Sequence, residues 1–225
     1  MSTELPPQRR DSEVLQILAT EHWSLLATRA LTYQESIGRV NMFLAILSGS
    51  VIALALVAQA DHFGPAFISI AIFMLAVVCV VGVFTVSRLI SLNRDDFNWV
   101  VGMNRLRHAY LQMHPELEPN FLTGHYDDIH GVMLSLGIEP GGRGTTAGSL
   151  VHGLSTLPGL VSVIVAAVAG AIASLVAAGF SAPPLIIILL GIVGFVVALV
   201  LLVLWQRSDI RRSSGFTPRF PTPKA

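Results

Sequence analysis

Cysteine occurs once in the 225 residues, at Cys79, so no intramolecular disulfide and no cysteine-built zinc site can form. Charge is scarce too: Asp, Glu, Lys and Arg make up 12% of the chain, about half the share of a soluble domain. Net charge is zero, which removes the basic field that nucleic acid would require. Proline is missing from Ser12 to Ala60, and glycine appears there only at Gly38 and Gly49. The long apolar runs hold no acidic, basic or histidine side chain, which argues against a proton relay. Gly141-Gly-Arg-Gly144 lacks a preceding strand and the Gly-Lys-Ser/Thr ending of a phosphate loop. No spacing singles out a nucleophile with its base, so neither an enzyme nor a cofactor is expected.

What is present is apolar length. Hydrophobic residues fill 53% of the chain and mean hydropathy is +0.68. Val40 to Ala60 is 21 residues and Ala66 to Ser87 is 22, each without a charge. At the helical rise each is about 32 Å long, the thickness of a bilayer's hydrocarbon core. They fold back on each other over Asp61-His-Phe-Gly-Pro65. A second hairpin joins residues 158–180 to 185–205 over Ser181-Ala-Pro-Pro184, within a segment 151–205. The first run begins only at residue 40 and is too long for a signal-peptide core, so no cleaved signal is expected. The architecture expected is an all-α polytopic membrane protein, with four transmembrane helices in two hairpins.

The first hairpin, residues 11–113, is expected to continue beyond its spans as a cytoplasmic antiparallel helical stalk. Ser12 suits an N-cap with Glu13 in the first turn, after a disordered leader at 1–10. A turn centred on Phe63 sets residues whose numbers sum to about 126 opposite one another. That register faces Arg29 with Asp96 or Phe97, Leu25 with Val101 and Glu21 with Arg105, and brings Glu35 near Arg88, with Arg94 a turn further. Residues 114–150 form a loop broken by prolines and glycines, with a short helix over His125 to Leu136 and a flexible linker from Gly141 to Ser149. Residues 206–225 are a basic, proline-containing tail, expected to be irregular beyond its first turns.

All fourteen Lys and Arg fall before the first span, at Arg88, in the 91–150 loop or in the tail. Under the positive-inside bias both termini and the central loop are therefore cytoplasmic, and the membrane is a bacterial inner membrane. The excess of Arg over Lys agrees with a bacterial source. Leu56-Val-Ala-Gln59 and Leu175-Val-Ala-Ala178 precede the two turns alike, a match short enough to leave duplication and convergence both open.

Few residues invite a specific role. Arg207, Arg211 and Arg212 follow the last span and suit anionic lipid headgroups, at about 1 kcal/mol each. Asn104, Arg105, Arg107 and His108 form a patch suited to a cytoplasmic protein partner. His125-Tyr-Asp-Asp-Ile-His130 has metal-ligand types at non-helical spacing, and a solvated acidic loop is the plainer reading, with no metal expected. Small residues every fourth position, at Ala166, Gly170, Ser174 and Ala178 and at Ala45, Gly49 and Ala53, serve close helix packing within one subunit, or else a homo-oligomer contact.

Arg39-Val-Asn-Met-Phe-Leu-Ala-Ile-Leu-Ser48 together with Gly102-Met-Asn-Arg-Leu-Arg-His108 resembles stretches of uncharacterised bacterial four-span integral membrane proteins. The resemblance covers the first hairpin and its extension, about half the chain, and implies no activity. The residues thus favour an interaction, scaffold or signalling component of the membrane, with an oligomeric channel or small-solute permease as the alternative.

Overall fold

The computed structural model describes residues 7–137, 156–213 and 217–223, with side chains at 7–10 and 210–213 outside the description. The described chain is all-helical. Its elements are α1 (Pro7–Asp61), α2 (Pro65–Met113), a 3-10 turn (Pro115–Asn120), α3 (Ile129–Ser135), α4 (Leu157–Gly179) and α5 (Pro184–Ser213). Four of these helices are long and apolar enough to cross a membrane, the mark of a multi-pass membrane protein. The most apolar window of α5 is only 6% buried, although its mean hydropathy is 3.4. That surface is costly in water and at ease in lipid.

Two boundaries differ from expectation. α1 begins at Pro7, ahead of Ser12, because proline is preorganised for a first helical turn and Gln8, Arg9 and Arg10 are good helix formers. α3 begins at Ile129 and not at His125, with Asp128 as its N-cap, while α5 runs on through Gln206 to Ser213, the first turns of the tail. The Gly141–Ser149 linker lies outside the described residues.

The turn between α1 and α2 is built by Asp61. Its carbonyl accepts from Gly64 N–H at 2.9 Å, and its carboxylate accepts from Phe67 N–H at 2.7 Å, satisfying a donor that α2 leaves open. His62 and Phe63 take positive φ, 47° and 60°, to close it. A Cβ on Gly64 would stand 2.9 Å from the Asp61 carboxylate, which explains the glycine.

The described chain divides into two compact units. One comprises the described parts of Glu35–Leu92 and Gly144–Arg212. Its core joins Val40 and Phe43 of α1, Leu75, Val78, Val86 and Leu89 of α2, Val161 and Val165 of α4, and Leu202 of α5. Gly82 lets α2 meet Phe43 and Val165, since a Cβ there would run into both. α4 and α5 approach closely through small residues. A Cβ on Gly170 would lie 2.7 Å from the Gly191 carbonyl oxygen, and one on Gly194 2.9 Å from Ala173 Cβ. The Gly170–Ser174 ladder is thus used inside the subunit, with Ser174 Oγ donating to the Ile187 carbonyl at 3.2 Å. Ser162, fully buried, accepts from Gln206 Nε2 at 2.7 Å. Glu35 sits between Arg88 and Arg39, each 2.9 Å away, and their hydrogen bonds hold its carboxyl down to about 2.

This packing carries a prediction. Gly170→Leu places a side chain against rigid backbone and is expected to cost about 3 kcal/mol, the upper end for overpacking. Around Gly49 a Cβ would find open space, so Gly49→Leu leaves the fold of one subunit unchanged. Thermal midpoints of both variants in lipid nanodiscs check this; equal midpoints would refute it.

The other unit comprises the described parts of Met1–Gln34, Asn93–Arg143 and Ser213–Ala225. Arg29 donates to Asp96 through Nε at 2.6 Å and through Nη2 at 3.3 Å, the pair that the register sets opposite. Leu25 lies over Gly102, where a Cβ would be 3.1 Å from it. A small core of Val100, Val101 and Val132, with Phe97 and Leu136 against it, fastens α3 to α2.

Candidate functional site

Asn104 organises the unit's polar interior. Its position on α2, one residue from Met103 and four from Val100, turns it inward, and it is 0% exposed. Its Nδ2 donates to the Tyr126 carbonyl at 2.8 Å, and its Oδ1 accepts from Arg107 Nη1 and Ser135 Oγ, both at 2.8 Å. One amide therefore ties the 124–135 loop to α2. Gly124 and Gly131 let that loop double back, since a Cβ on Gly124 would meet the Gly131 carbonyl oxygen at 2.5 Å.

The loop presents Asp127 and Asp128. Asp127 is completely buried and takes Arg105 Nε on Oδ2 at 2.7 Å. Its remaining acceptors go to the C-terminal segment: Arg219 N–H at 2.9 Å and Phe220 N–H at 2.7 Å. Asp127 N–H returns a bond to the Phe220 carbonyl at 3.1 Å. Asp128 caps α3 by accepting from Gly131 N–H at 2.9 Å, and also accepts from Thr222 N–H and Thr222 Oγ1, both at 3.0 Å. The Phe220 ring stacks on His108, with centroids 4.2 Å apart and planes inclined by 24°. The Arg219 guanidinium lies 5.5 Å from the centroid of that ring. Tyr126 packs on His125 at 4.2 Å and stands 5.9 Å from His108, extending the aromatic wall.

No protein-family model, curated protein or solved structure matches the chain. Chemistry must be read from the site itself. Two carboxylates, an imidazole and an aromatic wall hold a non-helical peptide that bends at Arg219 and Phe220, mostly by its main chain. The arrangement binds a segment.

Three expectations are corrected here. Of the patch Asn104, Arg105, Arg107 and His108, Asn104 is no surface residue: it is buried by the loop and held by Arg107, while the half-buried Arg105 and His108 meet Asp127 and Phe220. Arg105 pairs with Asp127 and not Glu21, because a buried carboxylate competes better for a guanidinium than an exposed one. The 125–130 loop is no solvated acidic stretch, since Asp127 is shielded and fully hydrogen-bonded. Of the headgroup residues, Arg207 is exposed at the end of α5, while the side chains of Arg211 and Arg212 lie outside the described residues.

Titration follows from these contacts. Burial pushes both aspartates up, but the hydrogen bonds outweigh it and leave each below the ordinary carboxylate range. For Asp127 they come from Arg219 N–H, Arg105 and Phe220 N–H; for Asp128, from Gly131 N–H and Thr222. Burial, then the neighbouring His125, lowers His108, with Asp127 opposing. All three groups bind fewer protons folded than unfolded, so stability rises with pH through their range. Acidification is therefore expected to loosen the segment in two steps. A small step begins below about pH 6.5, as an imidazole would protonate, and a large one below about pH 4, through the depressed carboxylate values. Amide exchange at Phe220 and Thr222 against pH measures it; protection independent of pH down to 3 would sink it.

Proposed function

We propose that this is a non-enzymatic interaction or signalling scaffold of a bacterial inner membrane. It crosses the bilayer four times in two helical hairpins and carries both termini and its central loop in the cytoplasm. The first hairpin extends as an antiparallel stalk that meets a cytoplasmic protein, alone or as a homo-oligomer.

One observation carries the reading: the tail that follows the last span sits on the loop between the second and third. Phe220 and Thr222 can reach Asp127 and Asp128 only from the same side of the bilayer, which supports an even number of crossings between them. The Arg29–Asp96 pair supports the same for the segments flanking the first hairpin. The positive-inside bias then names that side as the cytoplasm. α1 also leaves Trp23 71% and Tyr33 64% exposed there, surface more apolar than a solvated helix requires.

Single cysteines in a Cys79→Ser background test the arrangement. An impermeant thiol reagent is expected to label positions 62 and 182 in intact cells, and positions 95 and 116 only after lysis. The opposite pattern overturns the topology. A photoreactive residue at Trp23 is then expected to give a discrete protein adduct in native membranes. Absence of an adduct, with ion or solute flux from reconstituted liposomes, replaces the scaffold with an oligomeric channel or permease.

A further inference from the structure

The seat occupied by residues 219–222 has the properties of a receptor. Its acceptors read main-chain N–H groups of Arg219, Phe220 and Thr222, and the chain bends at Arg219 and Phe220 so that two consecutive N–H groups reach the one Asp127 carboxylate. Side-chain selection is confined to three places. His108 offers a flat face to an aromatic ring, Asp128 takes a hydroxyl two residues later, and a cation before the ring folds over that ring, as the Arg219 guanidinium does at 5.5 Å from its centroid. Pro218, Pro221 and Pro223 each fix φ, which lowers the backbone entropy the segment loses on docking. Without an occupant, Asp127 would lose the two main-chain donors and keep its hydrogen bond from Arg105, so the site favours being filled.

We infer that this seat is a peptide-recognition site for a basic–aromatic–Pro–Ser/Thr segment of a cytoplasmic protein, bent at its first two residues, and that the chain's own Arg219-Phe-Pro-Thr222 occupies it in cis as an autoinhibitory ligand. A tethered segment competes at an effective concentration near millimolar, so a partner's segment binds well only after the tail is released. The seat itself stands on the contacts of the tail, while the cytoplasmic source of the partner rests on the orientation proposed above.

A labelled peptide of residues 215–225 is the probe, and fluorescence anisotropy in nanodiscs is the readout. The full chain is compared with a variant ending at Ser213 and with full-length Phe220→Ala. Both variants are expected to bind the peptide at least about tenfold more tightly than the full chain does. Asp127→Asn in the shortened chain is expected to abolish binding, and a Phe→Ala peptide to lose it. Equal binding to the full and shortened chains, or binding that survives Asp127→Asn, overturns the inference. Should the shortened chain fail to fold, Phe220→Ala decides alone: no gain in peptide binding by that variant, with an unchanged thermal midpoint, overturns it equally.

Discussion

Replacing Asp127 by asparagine is expected to free the C-terminal segment from an otherwise intact protein. The carboxylate accepts from two consecutive main-chain N–H groups and from Arg105 Nε, and it is 0% exposed. An amide keeps one acceptor oxygen and turns its NH2 toward the donors that remain. It also strips Arg105 of its counter-ion. Breaking a buried pair in this way costs about 3–5 kcal/mol. The Arg105 side chain is 41% exposed, and water softens its share, which brings the expected loss to about 2–3 kcal/mol. Exchange of the Arg219, Phe220 and Thr222 amides should then quicken roughly 30- to 150-fold, at tenfold per 1.4 kcal/mol. Glu116→Gln, at an exposed position, should leave those amides unchanged. Retained protection in Asp127→Asn would mean that the aromatic stack, and not the carboxylate, holds the tail.

The membrane helices were legible because their signal is local. A charge-free run of more than twenty residues admits few structures, and each can be read without knowing what lies beside it. Arg29–Asp96 and Glu35–Arg88 were nearly legible for a related reason: a tight turn sets the register of the helices it joins, and the pairs lie one and three residues from the sum of 126. The tail's seat has no such signal. It joins residues more than ninety positions apart, and its bonds are chiefly to main-chain N–H groups, which every residue except proline possesses. Asp127-Asp128 looked solvated because burial is a property of the assembled loop. Asn104 looked like surface because a polar residue on a helix usually is. One clue was available: Phe220, an aromatic flanked by prolines in a polar tail, has no reason to be there unless it packs on something.

The second large effect separates packing from partition. Phe43 is 0% exposed, with Val165 and Gly82 against its ring, whereas Phe73 on α2 is 71% exposed among apolar neighbours. In a water-soluble core, Phe→Ala costs about 3–5 kcal/mol from lost transfer energy plus the cavity. In lipid the transfer contribution shrinks, since the separated helices would bury the same ring in acyl chains. The cavity and its lost contacts remain. Phe43→Ala is therefore expected to destabilise by about 2–3 kcal/mol, and Phe73→Ala by less than about 0.5 kcal/mol. Unfolding measured in bicelles, by steric trapping of two biotin tags, would register the difference directly. Were the protein dissolved in water, removing an exposed Phe73 would instead improve solubility, and the same pair of variants would diverge in aggregation and not in unfolding. Comparable losses for both would mean that Phe73 faces a protein surface, a second copy of α2 being the nearest source, and that the outward face of the helix is only partly given to lipid.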